Sequence, residues 1–65
     1  GEPVMARRAM ADYYEKMGAL AAAVEQLQQA RGLSKDFYDQ SELDVRIREL
    51  QDRVRTNREL LERFR

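Results

Sequence analysis

The sequence contains neither cysteine nor histidine. Without cysteine the chain cannot form a disulfide or offer a thiolate nucleophile, and without either residue the usual ligands of a zinc site are missing. The absence of histidine also removes the side chain that most often acts as acid or base near neutral pH. We therefore assign no catalytic residue, no metal ligand and no cofactor to this chain.

A net charge of either sign is also missing, because 12 basic residues balance 12 acidic ones. Such a chain has no overall positive field that would attract nucleic acid or anionic lipid. The densest basic run is spread around a predicted helix, and most of its members have an acid one turn away, which indicates a solvated surface. No apolar run approaches the roughly 20 residues of a membrane span. We expect neither a nucleic-acid partner nor membrane insertion. The basic run comprises Arg46, Arg48, Arg53, Arg55 and Arg58.

Glycine and proline are scarce, with three and one residues respectively, and they punctuate the chain. After Pro3, apolar residues recur at helical spacing and predict a first helix from Val4 to Met17. Gly18 follows where a helix favours a left-handed residue, and the next apolar stripe predicts a second helix from Ala19 to Arg31, stopped by Gly32. The short link makes the two helices antiparallel.

From residue 33 to Arg65 there is no proline and no glycine, which predicts one long third helix. Ser34 is a candidate N-cap, with Leu33 and Tyr38 placed to pack together across it. Ser41 is a possible restart of the helix. Acid-first pairs at four-residue spacing are expected to support it. They are Glu42 with Arg46, Asp44 with Arg48, Glu49 with Arg53 and Glu59 with Arg63. The close carboxylates Asp36 and Asp39 are interpreted as capping residues.

The predicted third helix has two apolar faces near its start. Phe37, Tyr38 and Val45 lie on one face, which we expect to dock on the hairpin. The other face is a heptad seam with one polar member, expected to meet a second copy of the chain or another domain of the parent protein. Its residues are Leu43, Ile47, Leu50, Val54, Asn57, Leu61 and Phe64.

Length supports this assignment, because the seam extends roughly 32 Å whereas each hairpin helix is near 20 Å. The hairpin is therefore too short to cover the seam. The alternative is a break at Ser41 that rotates the two faces into line. The predicted architecture is all-α: a helical hairpin over residues 1–33 and a long C-terminal capping helix over residues 34–65, forming one structural unit.

The hairpin has large and small residues at the spacing of a tetratricopeptide repeat, and it resembles that repeat. A tetratricopeptide repeat is a two-helix unit of about 34 residues. Arg7 and Lys35 depart from the pattern, where tryptophan and proline are usual. We expect close helix contact at Ala11, Gly18 and Ala23, core positions for Met10, Tyr14 and Met17, and an exposed partner groove at Tyr13 and Arg7. The hairpin-packing residues are Ala11, Tyr14, Gly18, Ala23, Leu27 and Phe37. The matching positions are Met10, Ala11, Tyr14, Gly18, Leu20, Ala23, Leu27, Ala30 and Leu33.

A longer stretch, Tyr13 to Gln51, contains an alanine- and leucine-spaced run at Ala23 to Leu33, the element DFY at Asp36 to Tyr38 and an arginine-isoleucine series at Val45 to Leu50. This order resembles the C-terminal end of bacterial zinc metalloproteases of the BepA type, in which an HExxH domain precedes tetratricopeptide repeats. The resemblance implies a periplasmic parent protein that assists outer-membrane β-barrel assembly. It also implies repeats that contact the assembly machinery, and zinc in the parent's catalytic domain.

Two functional hypotheses follow. In the first, the chain is a non-catalytic interaction and capping module taken from such a metalloprotease. In the second, it is a self-associating coiled-coil adaptor from an unrelated parent, a homodimer held by the seam of the C-terminal helix. In both we expect the chain, which begins Gly1, Glu2, Pro3, to be part of a longer protein.

Overall fold

Three helices make up the structure, a computed structural model that describes residues 1–64. They are α1 (Glu2–Lys16), α2 (Leu20–Leu33) and α3 (Phe37–Arg63), with three residues at each connection. The predicted all-α architecture with one long C-terminal helix is confirmed, while the expected extension to Arg65 lies outside the described residues. None of the described helices combines the length and apolarity needed to cross a membrane.

The middle helix, α2, packs against both of its neighbours, whereas no Cα atom of α1 lies within 8 Å of one in α3. Contacts along α2 and α3 run in opposite directions, since Arg31 bonds Asp44 while Ala21 lies beside Val54. Contacts of α1 with α3 run in the same direction, with Arg8 opposite Glu42. The molecule is therefore an antiparallel hairpin followed by a helix parallel to α1.

The core lies along α2, whose Leu27 is fully buried at its centre. Ala11, Ala23 and Ala30 are also fully buried, and their small side chains let α1 and α2 approach closely. Tyr14 and Val54 are partly buried against this core. The buried apolar residues are Val4, Ala11, Leu20, Ala23, Val24, Leu27, Ala30, Leu43, Ile47 and Leu50.

Gly18 ends the first helix in the left-handed region, at φ +81°. The amide of Ala19 then donates to the Tyr14 carbonyl at 2.9 Å, which closes the turn. Gly18 is exposed, and a Cβ added to it would meet no atom within 4 Å. The predicted left-handed position is confirmed, but the expected close helix contact at Gly18 is wrong. Its role is conformational.

The α2–α3 connection differs from its prediction in two ways. Gly32 does not stop α2, which continues to Leu33. Ser34 is not the N-cap of α3; it ends α2 as a buried residue whose hydroxyl accepts from the Asp36 amide at 3.2 Å. Asp36 is the cap, because its carboxylate accepts from the Tyr38 amide at 2.9 Å, so its predicted capping role is confirmed.

The third helix runs without interruption through Ser41, so the predicted alternative of a break there is wrong. It is two-sided, but its faces are exchanged relative to the prediction. Leu43, Ile47 and Leu50 are buried in the core, whereas Phe37, expected to pack on the hairpin, is 81% exposed. Tyr38 and Val45 are also exposed, and so is Leu33, which was expected to pack on Tyr38.

The lengths of the two apolar faces explain the exchange. Beyond Val45, the face that starts at Phe37 becomes acidic, with Asp52 and Glu59 seven and fourteen residues later. The seam remains apolar for three turns from Leu43 to Val54, so it offers more apolar area to α2. Burial of the longer stripe decides which face packs.

Candidate interaction surfaces

Ion pairs join α1 to α3 across α2. The Arg46 guanidinium donates to Asp12 and, at 2.8 Å, to Glu15, and Arg53 also donates to Glu15 at 3.1 Å. Arg8 donates to Glu42 at 2.9 Å. Arginine side chains are long enough to bridge helices whose backbones do not touch.

The charges of α3 pair differently from the prediction. Glu42 and Asp44 were expected to bond the arginines one turn later in α3, but they accept from Arg8 of α1 and Arg31 of α2. Within residues 1–64, the ion pair internal to α3 is Arg55 with Asp52. Glu42 and Asp44 flank the buried apolar stripe of α3, so their side chains are close enough to bond residues of the neighbouring helices.

Arg46 is the centre of this network. Partial burial lowers the pKa of its guanidinium, but the hydrogen bonds and charges of Asp12 and Glu15 together raise that pKa above its usual value. Arg46 therefore stays charged, and it holds two carboxylates of α1 at one point of α3.

Two of these bridges have the same sequence separation. Arg8 with Glu42 and Asp12 with Arg46 are each 34 residues apart. In an array of 34-residue helical hairpins, such pairs occupy equivalent positions in the first helices of successive hairpins. The third helix therefore runs parallel to α1, with residues 34 positions apart opposite each other at both bridges.

A second apolar stripe lies on the outer side of α1, opposite the core, and we call it the outer stripe: Ala6, Met10, Tyr13 and Met17. These residues follow steps of four, three and four and fall within about 60° of the helix circumference. Tyr13 is 57% exposed, as predicted, and its ring meets that of Tyr14 edge-on with centroids 5.8 Å apart. Met10 and Met17, expected in the core, are exposed as well.

Arg7 does not share this surface. Its guanidinium donates to the Gln26 side chain of α2 at 3.1 Å, at the edge between the hairpin helices. On the circumference of α1 it lies about 120° from Tyr13. Tyr13 and Arg7 are both exposed, but they lie on different sides of α1 and do not line one groove.

The predicted seam is divided by the structure. Its first three residues are core residues and Val54 is half-buried, but Asn57, Leu61 and Phe64 are exposed beyond the start of α2. The hairpin covers the seam as far as Val54. The expectation that it is too short therefore holds only for the last turns of the seam. We call residues 54–64 the overhang of α3.

A shallow hollow of about 450 Å³ lies between the overhang and the beginning of α2, and we call it the end groove. One wall consists of small residues at the hairpin turn. The other wall consists of the seam positions of the overhang and one arginine. The lining residues are Gly18, Ala19, Leu20, Ala21, Ala22, Val54, Asn57, Arg58 and Leu61.

The charge of the end groove is positive. Arg58 is the ionisable residue in its lining. The N-cap of α2 is Ala19, which provides no side-chain cap, and the first turn of α2 has no acidic residue. The helix dipole therefore adds positive potential at this wall. The overhang itself carries Glu59 and Glu62 beside its exposed leucines.

Sequence reasoning missed the outer stripe and the alanine wall of the end groove. The spacing of Ala6, Met10, Tyr13 and Met17 was a usable signal for the former. The signal for the latter was weaker, because the three alanines at 21–23 were assigned together to close helix approach.

Comparison with protein-family models, curated proteins and solved structures gives no match.

Proposed function

We propose that the chain is a non-catalytic interaction module, the closing unit of a stack of helical hairpins. In this arrangement the hairpin α1–α2 is the last of the stack and α3 covers its exposed side. The observation that supports this best is the 34-residue separation of the Arg8–Glu42 and Asp12–Arg46 pairs.

The outer stripe provides the second support. Tyr13 lies 34 residues before Ile47, and Ile47 is buried against the hairpin. By this equivalence, the second helix of a preceding hairpin would pack on Tyr13 as α2 packs on Ile47. The outer stripe is thus the face through which the stack would continue.

The surface of α3 fits the role of a cap. Its inner face covers the apolar side of α2. Its other side exposes Phe37, Tyr38 and Val45 near the start of the helix, and beyond Val45 it exposes polar residues such as Arg48, Asp52 and Glu59. A stack of hairpins needs such a terminal element, because an open apolar end would otherwise contact water.

The parent protein is proposed from the resemblance of residues 13–51 to the end of BepA-type metalloproteases. On that basis the module works in the periplasm, and its partners are proteins of outer-membrane assembly. The zinc of that family does not fit this chain, whose donor set lacks both histidine and cysteine. It would be held by the parent's catalytic domain.

Methionine oxidation tests the stacking proposal. Met10 and Met17 lie on the outer stripe, whereas Met5, which is also exposed, lies about 100° or more from both and serves as the internal control. In the isolated chain, at low micromolar concentration, we expect peroxide to oxidise all three at similar rates. In the full-length product of the gene, Met10 and Met17 should react at least tenfold more slowly than Met5, as measured by peptide mass spectrometry.

Equal oxidation of the three methionines in the full-length protein would contradict stacking on the outer stripe. Slow oxidation of all three would point to burial of the whole helix and would also contradict the proposal.

A further inference from the structure

We propose that the overhang of α3, together with the end groove, is a docking surface for an acidic amphipathic helix of another protein. The seam positions of the overhang would contact the apolar side of that helix, and the arginine at the rim of the end groove would pair with its carboxylates. The proposal goes beyond the stack of hairpins, because stacking on the outer stripe does not use either surface.

The overhang continues a helix interface that the molecule already contains. From Leu43 to Leu50 the seam packs against α2, and Val54 is half-buried beside the start of that helix. Beyond Val54 the same heptad spacing brings Leu61 and Phe64 to the same side of α3, where they are 73% and 87% exposed. A helix that lies along the overhang would therefore meet the face that already accepts α2.

Charged residues on the two flanks of the seam pair with opposite charges on the hairpin. On one flank Asp44 accepts from Arg31 of α2. On the other flank Arg46 donates to Asp12 and Glu15 of α1. In a heptad these flanks are the e and g positions, whose charges determine which helices pair. The hairpin thus supplies opposite charges along the part of the seam that it covers.

The overhang has a flanking charge without such a partner. Arg58 lies two heptads after Asp44, and the ion pairs within residues 1–64 do not include it. Glu62 follows one turn later but lies farther from the seam, and it is not bonded to Arg58 in the described part of the chain. The uncapped start of α2 adds positive potential to the same groove. Charge complementarity therefore favours a helix whose flanks are acidic.

A second copy of the chain would not provide those acids. In a parallel pairing of two seams, Arg53 faces Arg58 of the second copy, and in an antiparallel pairing Arg58 faces its own counterpart. Both orientations bring arginine against arginine, which disfavours self-association through the overhang. An anionic membrane also fits less well, because its surface would repel Glu59 and Glu62 of the overhang.

The contact is short, so the complex should be weak. From Val54 to Phe64 the overhang extends about 15 Å, and a helix of three or four turns covers it. For an interface of this size we expect a transient complex with a dissociation constant on the order of 100 µM. The affinity should fall as salt is added, because the charge contacts lie at the surface.

Titration of the isotope-labelled chain with two designed peptides, followed by NMR, tests the proposal. The acidic peptide has leucine at the a and d positions and glutamate at e and g over two heptads, and the basic peptide has lysine in place of glutamate. The acidic peptide should shift the amide resonances of the end groove and the overhang, while those from Phe37 to Val45 stay in place. The basic peptide should bind roughly fivefold more weakly, or less, at low salt.

Substitutions in the chain identify the surface. Leu61→Ser should weaken binding of the acidic peptide about tenfold. Val45→Ser is its matched control, because Val45 is also exposed on α3 but lies on the opposite side. Arg58→Glu should remove the preference for the acidic peptide, whereas Arg48→Glu, outside the groove, should leave it unchanged. All four residues are exposed, so circular dichroism should show the same helix content in every variant.

The proposal would be overturned if the acidic peptide caused no shift at about 1 mM, well above the expected dissociation constant. Equal binding of the two peptides, or equal weakening by Leu61→Ser and Val45→Ser, would contradict it as well. Self-association of the chain in sedimentation equilibrium, or binding to vesicles of anionic phospholipid, would assign the overhang to another occupant if Leu61→Ser abolished it.

Discussion

Two glycines near helix ends have opposite backbone requirements. Gly18 has a φ of +81°, in the left-handed region that other residues adopt only with strain. Gly32 lies inside α2, one residue before its end, and its φ is not positive. A Cβ at either position would meet no neighbouring atom within 4 Å, so sterics with the rest of the fold do not distinguish them. The two positions differ in their backbone conformation alone.

Alanine substitutions separate these two roles. Gly18→Ala should lower the free energy of unfolding by about 1 kcal/mol, because alanine resists the left-handed conformation. Gly32→Ala should raise it by roughly 0.5 to 1 kcal/mol, because alanine loses less backbone entropy in a helix. Urea unfolding followed by circular dichroism measures both. Equal effects at the two positions would show that the turn at Gly18 does not require its left-handed residue.

Among the helices, α3 is divided between two environments. Its first part contributes Leu43, Ile47 and Leu50 to the core, Val54 packs against that core, and residues beyond Val54 are exposed. Helix formation alone is a weak source of stability for short exposed segments. The turns of α3 beyond Val54 should therefore be dispensable for the fold.

Truncation tests this division. A chain ending at Thr56 removes most of the overhang and should unfold with a free energy within about 0.5 kcal/mol of the complete chain. A chain ending at Glu49 also removes Leu50 and Val54 and should lose 2 kcal/mol or more, since a buried leucine alone accounts for that much. Thermal unfolding at low concentration measures both. A large loss of stability in the chain that ends at Thr56 would mean that the overhang stabilises the monomer.

At this scale the sequence predicts much of the fold. Helix number and approximate position follow from apolar spacing and from Gly18, and the core positions Ala11, Ala23 and Leu27 follow from the repeat pattern. The faces of α3 could not be assigned, because Phe37 and Leu43 are both apolar and the choice depends on the total area that each stripe offers to α2. The cap shifted from Ser34 to Asp36 because the Ser34 hydroxyl bonds the turn instead.

In the whole molecule, no Cα atom of α1 lies within 8 Å of one in α3, and ion pairs link the two outer helices. The Arg46 network bridges α1 and α3 over α2, and its side chains are partly exposed. Such pairs are typically worth about 1 kcal/mol or less each. Because the pKa of Arg46 is raised, its contribution is complete below the unfolded pKa and is lost only as the pH rises through the folded value, in strong alkali.

A double-mutant cycle measures this link. Arg46→Met and Glu15→Gln should each lower stability by roughly 0.5 to 1 kcal/mol, with a coupling of about 0.5 kcal/mol that decreases in high salt. Arg55→Met serves as the control, because the Arg55–Asp52 pair is largely exposed and internal to α3. Its effect should be within about 0.3 kcal/mol of zero. Additive effects of the first two substitutions would mean that the bridge contributes no interaction energy.

The bridges between α1 and α3 have a consequence for topology. Apolar stripes alone allow the third helix of such a chain to fold against either side of the hairpin, giving two arrangements of opposite hand with similar cores. The pairs Arg8–Glu42 and Asp12–Arg46 form only when α3 lies on the side where these α1 residues project. In the other arrangement the same charges would be separated by the width of the hairpin. The surface ion pairs thus favour this handedness of the molecule, even though each adds little to its stability.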